Sequence, residues 1–152
     1  MRVANRMKNF YLALLSVLLL SCNRIETGAS LSADEVSFIR GVGLLNPGET
    51  IHRFYSNSTF RTAGSFYTDQ RMAHYWLEGK DTSQHQREYA FYPEIVAVDP
   101  VFHVPDFDCP YLQIRKKDQT SFRMYLEGSP EQMQMFYQEA LNAWKRHRHD
   151  TR

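Results

Sequence analysis

Residues 128–148 read GSPEQMQMFYQEALNAWKRHR, and the signals in them decide how the strands before them must be covered. Gly128 closes a strand, Ser129 stands at a cap, Pro130 takes the first helical position and Gln132 completes a capping box, so a helix begins here. Met133, Phe136, Tyr137, Ala140, Leu141 and Trp144 then recur at helical spacing. Their broad apolar stripe has to dock on something. Lys145, Arg146, His147 and Arg148 follow, where the helix macrodipole favours positive charge; they read as a solvated last turn rather than a grip on anionic lipid.

What the helix docks on is written upstream as strands. In 121–127, Phe122, Met124 and Leu126 alternate with Arg123, Tyr125 and Glu127, the pattern of one buried and one wet face, and 111–116 pairs with it across a polar turn. Residues 95–102 form a strand that Pro100 marks as an edge or bulged element, since proline cannot donate to a ladder. Before it come strands over 51–56, 60–68, 71–78 and 87–91. In 71–78 large apolar residues occupy both parities, so alternation does not fix its register, and Gly64 marks a bulge or a close backbone approach. Thr68, Asp69 and Arg71 read as a hydrogen-bonded turn, with Arg71 pairing with Asp69 or Asp99. Further upstream Ser32 and Glu35 form another capping box, with Leu31 and Val36 as its staple, ahead of a helix over 33–45 that Gly41 and Gly43 weaken.

Seven short strands and then a capped amphipathic helix is the order of the pleckstrin-homology-like barrel. The wording is also similar to the bacterial pleckstrin-homology and GRAM-type domains. Glu49-Thr50-Ile51 resembles their Gly-Glu-x-Ile opening, 64–72 (GSFYTDQRM) resembles their Gly-x-Phe-x-Thr-[Asn/Asp]-x-Arg-[Leu/Ile], and Glu94-Ile95-Val96-Ala97-Val98 resembles their aspartate-isoleucine strand opening. The resemblance implies an α+β, mostly β fold over 49–148: a seven-stranded barrel of two near-orthogonal antiparallel sheets capped by the C-terminal helix. A short N-terminal helix over 32–48 precedes it and a tail over 149–152 follows. It also implies a noncatalytic scaffold that binds lipids, peptides or proteins. The basic cluster by which eukaryotic relatives bind phosphoinositides is absent, because the first hairpin carries only Arg53 and Arg61.

Residues 1–21 have the layout of a secretory signal peptide: Arg2, Arg6 and Lys8, an apolar run over 10–20, and a small-residue exit. That run is short of the ~20 residues a spanning helix needs. Leu19-Leu20-Ser21-Cys22 resembles the lipobox of bacterial lipoproteins, which implies acylation of Cys22 with fatty chains such as palmitate. Residues 22–31 would then be the lipidated cysteine and a polar tether to the bilayer. Asn23 after the cysteine favours the periplasmic face of the outer membrane. Without the leader the formal charge is −2, from 15 Lys and Arg against 17 Asp and Glu, which does not suit nucleic acid.

His103, Asp106, Asp108 and Cys109 crowd one loop and are of metal-ligating types, but their spacing matches no zinc pattern. Cys109 has no intramolecular disulfide partner once Cys22 is acylated, and no activating histidine follows from the sequence. Tyr75, Tyr89, Tyr92 and Tyr125 are candidates for an exposed binding surface, set against the need to fill a small core. No cofactor is implied. The expectation is a membrane-anchored binding or scaffold module of the bacterial envelope with a protein partner. The alternative is a periplasmic small-molecule or lipid carrier, which an internal cavity of ~300 Å³ or more would favour. A third reading is an enzyme or metal site around His103 to Cys109.

Overall fold

A computed structural model describes residues 24–56, 59–79, 81–105 and 108–149. The leader 1–21, Cys22 and Asp106 lie outside the described residues. Among the described residues eight strands form two antiparallel sheets. The first holds β1 (Arg24–Thr27), β2 (Ile51–Ser56), β3 (Ala63–Thr68), β4 (Arg71–Trp76) and β5 (Gln86–Phe91), side by side in chain order. The second holds β6 (Ile95–Val101), β7 (Tyr111–Lys116) and β8 (Ser121–Tyr125). Among the described residues two α-helices accompany them, α1 (Ala33–Gly41) and α2 (Pro130–His149).

Three expectations need correction. Arg24–Thr27 is not tether but strand β1, paired in register with β2 from Arg24 opposite Ser56 to Thr27 opposite Arg53. The barrel is not closed: β1 takes the edge of β2, β5 and β6 keep one edge each without a partner strand, and no ladder joins the sheets among the described residues. The first helix ends at Gly41 rather than Leu45. Gly43 adopts φ 87° there and its amide reaches back to the Arg40 carbonyl, which turns the chain so that Leu44 and Leu45 enter the core.

The local signals hold. Ser32 Oγ accepts from the Glu35 amide and the Glu35 carboxylate accepts from the Ser32 amide; Ser129 and Gln132 repeat the exchange at α2. Pro100 sits on the edge strand β6, opposite Leu112 of β7, the kind of strand in which a residue without an N–H is tolerated.

The first sheet is covered on both faces, which is why β4 carries large residues at both parities. On the inner face Tyr55, Tyr67, Met72 and Ala90 meet the second sheet and the stripe of α2. On the outer face Phe54, Phe66, Ala73 and Tyr75 meet Ile39, Val42, Leu44 and Leu45 from α1 and the segment after it. α2 is tied to β2 and β3 by Glu139, whose carboxylate accepts from Arg53 Nε at 2.7 Å and from the Tyr67 hydroxyl at 3.0 Å.

Candidate functional site

Buried polar groups on the outer face are fully used. The Arg71 guanidinium donates to Glu49 through Nε at 2.8 Å and Nη2 at 2.7 Å, with both side chains essentially sealed from solvent. Thr68 Oγ1 donates to Glu49 at 2.6 Å and accepts from the amides of Gln70 and Arg71. The rings of Phe91 and Tyr89 cover the guanidinium at 4.3 and 5.1 Å. The expected turn is thus present, but Arg71 pairs with Glu49. Asp69 instead accepts from the Thr50 amide, and Asp99 pairs with Arg115.

The inner face differs. Where β3 and β4 face β8, the open barrel leaves a cleft of about 370 Å³. Ala63, Ser65, His74 and Trp76 line it from β3 and β4, and Tyr55 and Ser56 from β2. Tyr125, Glu127, Asp108 and Cys109 close the opposite wall. Three lining side chains are buried with polar atoms that make no hydrogen bond among the described residues, Tyr55 Oη, Ser56 Oγ and His74 Nε2, the first of them beside the Glu127 carboxylate. His74 is 2% exposed, its Nδ1 lies 3.0 Å from Ser65 Oγ, and its ring meets Tyr125 edge-on.

Burial sets the charge states of this wall. Desolvation lowers His74 to about 4, against the Gly64 carbonyl, so its imidazole is neutral at physiological pH. Cys109 is pushed up to about 11, first by its hydrogen bond to Glu127 and then by burial and the nearby carboxylates. A thiol held protonated in this way is a poor nucleophile. Burial, with the Glu127 charge beside it, also drives the Tyr55 phenol far above its ordinary range.

Other recesses lack such atoms. One of about 320 Å³ is lined by Arg53, Tyr67 and Glu139, which already bond one another. Another of about 460 Å³ lies between the β5 edge and the β7–β8 hairpin, among exposed charges such as Arg87 and Glu94. Neither holds a buried polar side-chain atom without a hydrogen bond among the described residues.

The residues singled out from sequence are scattered. Tyr75 and Tyr92 are buried, at 0% and 1% exposure, and belong to no binding surface: Tyr75 donates to the Phe60 carbonyl and Tyr92 to the Thr68 carbonyl. Tyr89 is exposed over Arg71, and Tyr125 lines the cleft. His103 is exposed outside the cleft, whereas Asp108 and Cys109 line it. Among the described residues no group of three His, Cys, Asp or Glu side chains is placed to hold a metal ion. Sequence reasoning missed Ser56, Ser65 and His74. The available signal was His74 itself, a polar ring at the same parity as Met72 and Trp76 inside an apolar strand.

No protein-family model matches the chain, and no curated protein does. Among solved structures the chain is similar to a DUF1696 family protein with a pleckstrin-homology domain from Shewanella loihica PV-4, at 12% identity and a TM-score of 0.46, over 72% of this chain and 93% of that one.

Proposed function

We propose that the protein is a noncatalytic, membrane-tethered binding module of pleckstrin-homology-like type, and that the cleft between its two sheets takes a small molecule. The carrier reading thereby displaces the pure scaffold. The observation that carries it is the pair of buried, unbonded atoms, Ser56 Oγ and His74 Nε2, on a cavity of about 370 Å³. A buried polar atom left without a partner costs about 1–3 kcal/mol, and a ligand group that bonds it recovers that cost. The volume lies in the range of ordinary small-molecule sites.

The anchor supports the same reading. Arg24 opens β1 opposite Ser56 of the cleft, and Cys22 lies two residues earlier, a reach of at most ~7 Å of extended chain. Acylation of Cys22 would hold the cleft beside the lipid headgroups of the envelope, with the periplasmic face of the outer membrane favoured by Asn23. A protein partner in the envelope would add a strand at the free edge of β5 or β6.

Native mass spectrometry of protein extracted from envelopes in mild detergent tests the site. The wild type is expected to carry a bound small molecule that Ala63→Phe, which fills the cleft, loses. A bare wild type, or equal occupancy in both, would refute the site. For the anchor, Cys22→Ser is expected to move the protein to the soluble fraction, and unchanged fractionation would refute it.

A further inference from the structure

We infer that the strand partner of β5 is a second copy of this chain, paired antiparallel about a two-fold axis at Tyr89. This rests on the reading that a protein partner adds a strand at the free edge of β5 or β6, and it names both the edge and the partner. The Tyr92 amide donates to the Gln70 carbonyl, one step beyond the Arg71–Phe91 pair, which fixes the phase of the β4–β5 ladder. Bonded and unbonded pairs alternate along antiparallel strands. Gln86, Glu88 and Ala90 therefore turn their backbone groups toward β4, and Arg87, Tyr89 and Phe91 turn theirs to the free edge. The Glu94 carboxylate accepts from the Phe91 amide at 2.8 Å. The remaining groups, the amides and carbonyls of Arg87 and Tyr89 and the Phe91 carbonyl, run along the edge beside a recess of about 460 Å³.

Unprotected edges invite pairing, and natural sheets blunt them with proline, bulges or a covering element. β1 covers β2, and β6 carries Pro100 and a register shift between Ile95 and Ala97. β5 has neither proline nor bulge: it pairs in unbroken register from Gln86 opposite Trp76 to Phe91 opposite Arg71. Its sequence also suits its own copy in one register. With Tyr89 opposite Tyr89, Arg87 stands opposite the second copy's Phe91, so edge groups meet edge groups at each position. The Tyr89 amides and carbonyls bond each other, and each Arg87 amide donates to a Phe91 carbonyl. On the outer face, where Tyr89 is 42% exposed, the two tyrosine rings cover each other and the exposed Arg87 guanidinium reaches the second copy's Phe91 ring. Arg71 already lies over that ring at 4.3 Å within each copy. On the inner face Glu88 meets Ala90. Sliding by two residues sets Glu88 against Glu88 in one direction, and in the other sets Arg87 against Pro93, which has no N–H. Sliding by one opposes edge groups to groups already bonded to β4. The favoured register joins two five-stranded sheets into one.

An edge this short is weak in dilute solution, whereas copies held on one membrane meet at high effective concentration, so the test is made in envelopes. Tyr89→Cys and Glu88→Cys are each expressed with Cys109→Ser, the envelopes are treated with a mild oxidant, and disulfides are mapped by mass spectrometry. Residues opposed at a bonded position have Cα atoms ~5.5 Å apart, which a disulfide spans. Tyr89→Cys is expected to link to its own copy at least tenfold more than Glu88→Cys. Arg87→Pro removes an edge amide that β4 does not use and is expected to cut that link at least fivefold. If it fails to fold, Arg87→Glu serves, with at least a threefold cut expected. No excess of linkage at position 89 over 88, or a link that the folded Arg87 variant leaves unchanged, overturns the inference. In parallel, a photoreactive benzophenone amino acid at position 89 reports any neighbour. Adducts only with a different protein overturn the second copy and keep strand addition at β5. If position 89 gives no protein adduct, the inference and strand addition at β5 both fall.

Discussion

Ala63 and Gly64 are neighbours on β3 and face opposite sides of one sheet, and the two sides bury polar groups in opposite ways. A Cβ on Gly64 would stand 2.7 Å from Phe54 Cε2 and 2.7 Å from Tyr75 Cε1, so the outer face is packed to its limit. Its charges are closed into the Glu49–Thr68–Arg71 cluster, where the carboxylate accepts from both the hydroxyl and the guanidinium. Ala63 instead borders open volume, next to buried atoms of Ser56 and His74 without hydrogen bonds. Polar groups that are satisfied within the fold specify structure, whereas polar groups held ready in a cavity mark where something else binds.

The comparison breaks first at Glu49. Glu49→Ala would leave the Arg71 charge buried without its partner, an expected loss of about 3–5 kcal/mol in urea unfolding. A loss below about 1 kcal/mol would make the cluster as expendable as a surface pair. His74 comes next. Its folded value of about 4 lies below the ordinary 6.5, so between these values the unfolded chain takes up the proton and the folded chain does not. Stability is therefore complete above pH 6.5 and declines as pH falls toward 4, by roughly 3 kcal/mol in all relative to His74→Leu. A difference curve flat across that window contradicts a buried neutral imidazole.

Smaller effects sharpen the contrast between the faces. Gly64→Ala is expected to cost about 1–3 kcal/mol by overpacking, although it adds one methyl group. Ala63→Phe adds a ring one residue away and is expected to cost less, under about 1 kcal/mol, because the cleft has room for it. Reversal of that order would show that the inner face is as tightly packed as the outer. Smallest is Arg53→Ala: its pair with Glu139 is partly solvated, so a loss under about 1 kcal/mol that shrinks with added salt is expected from the same unfolding curves.

What the sequence made legible was local. Both capping boxes, the α2 stripe, the β7–β8 hairpin and the edge position of Pro100 each depend on residues within a few positions of one another. What it hid depends on partners far along the chain. β1 has four residues with Ile25 as its one large apolar side chain, and becomes a strand because β2 lies beside it. The ambiguous parity of β4 had a physical cause, cover on both faces, and that cover comes from α1 at one end of the chain and from α2 and the second sheet at the other. Of the cleft, the sequence exposed Cys109, Asp108 and Tyr125 singly. Their meeting with Ser56 and His74 requires the sheets to lie open against each other, which no spacing encodes.

His74 Nε2 is either a structural atom or one that a ligand bonds. The most direct measurement is the ¹⁵N chemical shift of that nitrogen, recorded on protein extracted from envelopes without denaturation and again after unfolding and refolding in ligand-free buffer. A shift that moves between the two preparations, while the Nδ1 signal beside Ser65 holds still, is the predicted result. Identical Nε2 shifts in both would contradict the assignment of the cleft as a ligand site.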